Sequence, residues 1–472
     1  MSVSSYWVES AERPRFPALN RDLDVDVAVI GAGITGLTTA YLLKQAGRKV
    51  AVIDRDRIGG VDTMRTTAHV TCVTDVDLPA LVKAFGRDHA QAAWDAGLAA
   101  RDEIDAIVRD EEIACDWTRV RGYKHAPKGL DPTRDLPALQ EEAALARELG
   151  FSATFVERVP GIDMPGIAFD EQAKIHPGKY LARLAALVDG DGSFVFEGTS
   201  SEDVTDEPLT VTCGRFTITP RYLVIATHTP LVGKTNLASA ILLQTKLYLY
   251  TSYVVAGRIP SGELAEGLYW DTADPYHYVR VDRGDGNGYD LLIFGGEDHK
   301  TGQVEDTAEC FRRLEFTARE WFPRLQVTHR WSGQVIETND GLPFIGETAA
   351  NQFAATGFAG NGMTFGTLAA MVARDAVLGI ANPWRDLFDI DRTKVRGGAW
   401  DYVKENIDYP YYMLRDRLAG LDPAPLRAVR RGEGRVLSFD GEPVAAWRDP
   451  SGKLTLLSPV CTHMGCRVAW NN

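Results

Sequence analysis

A β-branched run, VDVAVI at residues 25–30, leads straight into Gly31, Gly33 and Gly36, and this G-x-G-x-x-G turn constrains the fold more than any other feature of the chain. Beyond it TGLTTAYLLKQAG carries apolar residues at helical spacing up to Gly47, and KVAVID follows as a second strand. Strand, glycine turn, helix and strand in so short a stretch form a βαβ unit, whose crossover enforces parallel pairing of the two strands. The first glycine of such a turn makes the tight bend, the second lets backbone approach a pyrophosphate, and the third lets the helix lie against the strand. Ile34 and Thr35 open the helix, where unpaired N–H groups and the positive end of the helix dipole favour phosphate. Asp54 ends the second strand, placed to accept hydrogen bonds from an adenosine ribose. These residues predict a dinucleotide site; the motif alone does not separate NAD from FAD.

The rest of the chain divides by pattern. Residues 78–112 and 132–150 are charged and rich in Ala and Leu, which predicts helices, and strand-like pieces lie between residues 194 and 225. From 244 to 300 the alternating aromatic runs KLYLYTSYVV, YHYVRV and DLLIFGG predict an antiparallel second sheet, and 354–380 returns to a turn and an apolar helix. After residue 381 comes a Pro/Trp/Asp-rich connector, helical text to about 420, and from Gly434 short strands punctuated by DG and SG turns. The expected organisation is an N-terminal extension over 1–24; a discontinuous dinucleotide-binding domain over 25–80, 150–230 and 325–380; a substrate domain over 81–149 and 231–324; a helical connector over 381–425; and a small all-β module over 426–472.

Four stretches, VAVIGAGITGLTTAYLLKQAG, RIGGVDTMRTTAHVT, YLVIATHTP, and WSGQVIETNDGLPFIGE leading to AATGFAGNGMTFG, resemble the D-amino-acid oxidase/glycine oxidase superfamily of FAD-dependent oxidoreductases, in particular its DadA-like group. The resemblance implies an α/β fold: a Rossmann-like FAD-binding domain of the glutathione-reductase-like, D-amino-acid oxidase type, joined to an antiparallel-sheet substrate domain. It implies FAD as the cofactor. The loop after the acidic residue, with Arg55, Thr66, Thr67, Ala68 and His69, would pass along the flavin. The turn Gly357, Gly360, Asn361, Gly362, Met363 and Thr364 would close over the isoalloxazine and ribityl side, with Ala226, Thr227 and Asp340 also beside the cofactor. Asp340 either orders its turn or touches cofactor.

Flavin chemistry of this kind needs positioning more than acid–base machinery, because the cofactor accepts the hydride. The second sheet offers Tyr250, Tyr253, Tyr276, Tyr278 and Arg280, and alternation sets Tyr276, Tyr278 and Arg280 on one face of YHYVR. Arg280, Tyr278, Tyr253 and His69 are the expected catalytic and positioning residues. By resemblance, Arg280 would bind a substrate carboxylate through two parallel hydrogen bonds. The alternatives are that Arg280 pairs with a surface acid while the tyrosines pack against neighbours, and that His69 is a hydrogen-bonded structural histidine.

At the carboxyl end SPVCTHMGC resembles the first half of a Rieske iron–sulfur motif, in which Cys461 and His463 would be ligands, and Cys466 would match a cysteine that some such domains cross-link. A [2Fe–2S] centre of this type needs two cysteines and two histidines, and no later pair precedes Asn472. The cluster is expected only where a second ligand pair is present, and the module is expected to be a partial Rieske-like domain.

Composition closes off other classes. Lys and Arg number 51 against 65 Asp and Glu, a net charge of −14 without a basic run, which argues against a nucleic-acid partner. No run approaches the roughly 18 apolar residues of a membrane span, and no secretory signal is visible, so a cytoplasmic protein without a membrane partner is expected. The expected function is oxidation of a C–H bond next to an amine nitrogen, in an amino acid or a secondary or tertiary amine, with hydride passing to flavin and electrons then to an iron–sulfur centre or external acceptor. The competing readings are oxidation of a non-amine substrate in a biosynthetic pathway and an electron-transfer flavoprotein without a small substrate.

Overall fold

The structure is a computed structural model that describes residues 4–229, 246–284, 286–304, 306–392, 425–439, 441–460 and 470. Its first sheet is built outward from β1 (Leu23–Ile30), which pairs in parallel with β2 (Val50–Ile53) on one side and β10 (Phe216–Ile225) on the other. The order runs β16 (Phe344–Ala349), β17 (Gln352–Thr356), β10, β1, β2, β7 (Phe194–Phe196), with β8 (Asp203–Asp206) and β9 (Leu209–Cys213) appended to β10. Both faces of β1 and β2 are buried, so their near-continuous aliphatic text is what a parallel strand covered on two sides requires.

The second sheet has nine strands in the order β15 (Gln326–Thr338), β11 (Leu247–Pro260), β14 (Tyr289–Lys300), β13 (Tyr278–Asp282), β12 (Gly267–Asp271), β4 (Thr118–His125), β6 (Gly166–Lys174), β3 (His69–Val70), with β5 (Ala153–Val156) also on β6. All its pairings are antiparallel except β12 with β4. A third sheet, β18 (Glu433–Phe439), β19 (Glu442–Arg448) and β20 (Leu454–Leu457), is antiparallel throughout.

Two helices decide where a ligand can sit. In α2 (Ile34–Gln45) every residue from Ile34 to Leu43 is buried, and in α8 (Gly362–Leu378) nearly all are, because each lies between sheet and neighbouring helices. They meet at their amino ends, where a Cβ on Gly366 would stand 2.8 Å from Thr35 Oγ1 and 2.9 Å from Ile34 Cγ2. Gly36 serves the other side of α2: a Cβ there would fall 1.8 Å from the Gly31 carbonyl oxygen, so only glycine lets the helix lie this close to the turn.

The remaining helices form the outer layers. The expected helix over 78–112 is two, α3 (Leu78–Phe85) and α4 (Arg87–Asp110), broken at Gly86, whose φ of +89° interrupts the helical path. Around them lie α1 (Tyr6–Ser10), α5 (Leu136–Glu148), α6 (Pro177–Val188), α7 (Thr307–Trp321) and α9 (Arg385–Phe388). The four isolated cysteines, Cys72, Cys115, Cys213 and Cys310, are free and buried. No helix among the described residues is long and apolar enough to cross a membrane.

Replacing Gly36 with Ala should drive α2 off the turn and destabilise the protein by about 1–3 kcal/mol, the usual range for overpacking. A lowered Tm in a thermal melt checks this.

Candidate active site

The parallel strands β1, β2 and β10 end together at Ile30, Ile53 and Ile225, and their carboxyl ends are where open α/β sheets bind ligands. Gly31 N–H donates to the Ile53 carbonyl (2.8 Å), and Ala226 N–H to the Ile30 carbonyl (2.8 Å). Here begins a cavity of about 790 Å³ lined by residues of both sheets, a size within the roughly 300–1,000 Å³ of cofactor and ligand sites.

Of the glycine motif, Gly31, Gly33, Ile34 and Thr35 line the cavity, and Gly36 does not, because it is pressed against Gly31. Asp54 and Arg55 line it too. The Asp54 carboxylate accepts from the N–H of Ala32 (2.8 Å) and of Asp56 (2.9 Å), which fixes the turn; burial outweighs these bonds and raises its pKa.

Thr66, Thr67 and His69 form one wall, and four hydrogen bonds from three side chains grip the backbone behind them. Trp331 Nε1 donates to the Arg65 carbonyl (2.7 Å), Trp7 Nε1 to Thr66 (2.7 Å), and Arg280 Nη1 to Thr67 and Ala68 (both 3.0 Å). Ala68 does not line the cavity; its φ of +57° is left-handed, a strain of about 1–3 kcal/mol that these bonds hold in place. His69 Nε2 faces the Val279 carbonyl, which can only accept, so Nε2 carries the proton and Nδ1 accepts from the Thr67 hydroxyl at 2.8 Å. Burial, with Arg280 nearby, holds the His69 pKa down at about 3, so the ring is neutral.

Ala226 and Thr227 line the cavity, as do Gly360, Asn361, Gly362 and Met363 at the amino end of α8. Asn361 Nδ2 donates to the Val73 carbonyl (2.9 Å), and the Thr364 hydroxyl donates to the Thr71 carbonyl (2.9 Å), so this turn is sewn to residues 71–73. Gly357 and Thr364 themselves lie behind the lining.

Three expectations change. Arg280 is buried away from the cavity: Nε and Nη2 clasp Asp282 (2.9 and 3.0 Å), Nη1 holds three carbonyls including that of Ile175 (2.8 Å), and Trp7 stacks on the guanidinium at 4.9 Å. It braces the 66–69 loop and cannot meet a substrate carboxylate. Tyr253 points to the opposite face of β11, against Phe311 and His299, while its neighbours Ser252 and Val254 face the cavity. Asp340 is not in the lining either; Arg392 takes both its oxygens (2.7 and 2.8 Å) and it orders its own turn through Leu342 N–H. Cys461 and His463 lie outside the described residues.

A further wall is made by Trp270, Tyr276, Tyr278, Ser252, Asp75 and Asp298. Tyr278 hydrogen-bonds the Ser252 hydroxyl at 2.5 Å, and Tyr276 hydrogen-bonds Asp75. Tyr276 also reaches the α8 turn, since a Cβ on Gly360 would lie 3.6 Å from its hydroxyl. β11 bulges against β14 between Thr251 and Tyr253, and on β14 Glu297 sits at φ +60°, a left-handed conformation next to Asp298. Neither Asp75 nor Asp298 belongs to a motif; the one signal in the sequence is that the apolar text of β14 gives way after Gly296 to Glu297, Asp298, His299 and Lys300.

Whether these residues suit a dinucleotide can be tested on the glycines. A Cβ on Gly362 would meet no protein atom nearer than 4.0 Å and one on Gly33 only Thr63 Oγ1 at 3.0 Å, so both leave their bare faces to the cavity. The first N–H groups of α2 and α8 have no intrahelical partners, which suits an anionic linker and an electron-rich ring edge.

Comparison with known proteins agrees. A family model described as FAD dependent oxidoreductase matches residues 26–376. A protein of Bacillus subtilis (strain 168), YhfW, named for a Rieske 2Fe-2S iron-sulfur centre, is 30% identical over 99% of this chain and 91% of its own. The gamma-glutamylputrescine oxidoreductase of Escherichia coli (strain K12) is 24% identical over 88% of this chain and 99% of its own. The crystal structure of glycine oxidase from Geobacillus kaustophilus superposes with a TM-score of 0.65 at 17% identity, covering 78% of this chain and 99% of that one.

Replacing Arg280 with Met should cost about 3–5 kcal/mol, since it strips Asp282 of a buried partner and frees the loop carbonyls; the melt should fall accordingly. His69 gives a pH signature. Its folded pKa lies below the unfolded 6.5, so the unfolded chain binds more protons and stability falls as pH drops from about 6.5 to 3. His69→Asn should flatten that part of the stability–pH curve.

Proposed function

The chain belongs to the D-amino-acid oxidase (DAO) family of FAD-dependent oxidoreductases, and on that premise we propose that it oxidises a C–H bond next to an amine nitrogen. The observation that carries the reading is a single cavity that joins the glycine turn to a wall of Tyr276, Tyr278 and Trp270, leaving room for a small molecule beside the cofactor. The names of the relatives, a gamma-glutamylputrescine oxidoreductase and a glycine oxidase, support amines or amino acids as the substrate class.

When bound, FAD supplies a two-electron acceptor: a hydride leaves the carbon next to nitrogen, an iminium results, and water hydrolyses it to a carbonyl compound and an amine. The chain's own residues do the rest. Gly31, Gly33, Ile34, Thr35, Asp54 and Arg55 would hold the dinucleotide, with Ala226 and Thr227 alongside. Thr66, Thr67, neutral His69, and Gly360 to Met363 would bracket the ring system. Tyr276 and Tyr278 would position the substrate and exclude water; burial raises both phenol pKa values, so neither is ionised near neutrality. The aromatic wall favours a small substrate over a purely electron-transfer role. The Cys461-x-His463 pair and the name of the B. subtilis relative support a [2Fe–2S] centre as an electron outlet in chains with a second ligand pair.

Two experiments test the reading. The purified protein should show flavin absorption bands that bleach anaerobically when a panel of amines and amino acids is added; a colourless protein, or bands that no amine or amino acid bleaches, would overturn it. Gly362→Val should abolish flavin retention while leaving the melt of the flavin-free chain within about 1 kcal/mol of the parent, because its side chain enters cavity space.

A further inference from the structure

The wall that completes the cavity is acidic. Asp298 lines it, and its Oδ1 is sealed from solvent without a hydrogen-bond partner among the described residues. Asp75 lines the same wall and repels it, and Tyr276 donates to Asp75. A buried carboxylate oxygen without a donor is costly to keep, and here it is kept by a left-handed Glu297 and a bulged strand pair.

The charges around this pair are otherwise committed. Lys124, which also lines the cavity, is clasped by Asp77 and by Glu142 (2.7 Å). Glu297 is paired with Arg313 (2.6 Å), and His277 Nδ1 is bonded to Asp271 (3.0 Å). Arg55 lies beside Asp56 (3.6 Å), and Arg65 is exposed; neither pairs with Asp75 or Asp298 among the described residues. Burial and the charge of Asp75 together push the Asp298 carboxyl up to about 7, against a bond from Ser252. Lys124 is a cation beside Asp75 and works against the rise that burial gives its pKa, but its charge is already matched by Asp77 and Glu142, so acids outnumber cations on this wall. Arg280, the expected carboxylate receptor, is locked into the 66–69 loop.

We propose that the Asp75, Asp298, Tyr276 and Tyr278 wall receives an ammonium group of the substrate, so that the substrate is a cationic amine without a carboxylate on the reacting carbon; where that ammonium sits on the reacting carbon, it gives up one proton to water before the hydride leaves. The carboxylates supply charge-assisted acceptors, and the phenol rings offer π faces to the same cation. Amino acids, whose carboxylate would face two acids, are disfavoured. The inference rests on amine oxidation as proposed above.

The test uses the full flavin-loaded protein and matched compounds that differ by one carboxylate: 1,4-diaminobutane against ornithine, and 1-aminobutane against 2-aminopentanoic acid. In anaerobic stopped-flow, the amine of a pair should reduce the flavin at least about tenfold more efficiently. Asp298→Asn, an isosteric change, should raise the apparent Kd of that amine about tenfold or more with little change in the limiting rate; Asp75→Asn serves as the second variant, with thermal melts confirming that both fold. Preference for the carboxylated partner, or an unchanged Kd in both variants, would overturn the inference and leave amine oxidation standing. If no compound reduces the flavin, amine oxidation falls, and binding decides the inference. Saturable perturbation of the flavin spectrum by butylammonium chloride, weakened in Asp298→Asn, would support the acidic wall as a cation site. No perturbation would dispose of it.

Discussion

The guanidinium of Arg280 holds the site together. It stands on β13 of the second sheet, yet its bonds run to Asp282 beside it and to the carbonyls of Thr67, Ala68 and Ile175. A loop that must hold a left-handed alanine and present one edge to a cofactor has carbonyls to satisfy on its other edge, and an arginine is suited to several acceptors at once. Asp282 is the counter-charge that makes burial of the guanidinium tolerable, and Lys174 joins it from β6. The arginine nearest the 66–69 loop is therefore structural, and the wall opposite that loop is left to hydroxyls, aromatic rings and the acids Asp75 and Asp298.

That division also explains the electrostatic character of the cavity. At one end, the amino terminus of α2 and the bare face of Gly33 favour anionic groups. At the other, carboxylates face inward without a guanidinium between them.

Much of this was legible in the sequence, because the glycine turn, Asp54, the residues after it and the Gly-Asn-Gly turn are local motifs whose chemistry travels with their spacing. The failures are tertiary. Alternation rightly set Tyr276, Tyr278 and Arg280 on one face, with Val279 and Val281 in the opposite core, but it cannot say that a loop more than 200 residues earlier crosses that face at Arg280. Tyr253 was one residue out of phase with the cavity, its place taken by Ser252 and Val254. Asp340 was pre-empted by Arg392, a partner fifty-two residues away. Asp75 and Asp298 each stand beside another acid, Asp77 and Glu297, in text that matches no motif, and only the fold brings them to the same wall.

The short helix α1 has a bearing on biogenesis. Trp7 is made among the first residues, yet its ring stacks on Arg280 and its indole N–H bonds Thr66. As the chain leaves the ribosome, only β1 and β2 of the first sheet precede the loop at residues 66–69, and the arginine brace for that loop arrives with β13. Trp7 and the loop must wait, unclamped, until more than half the polypeptide has been synthesised. The cofactor cavity is thus completed late in synthesis, whatever the order in which its walls appear.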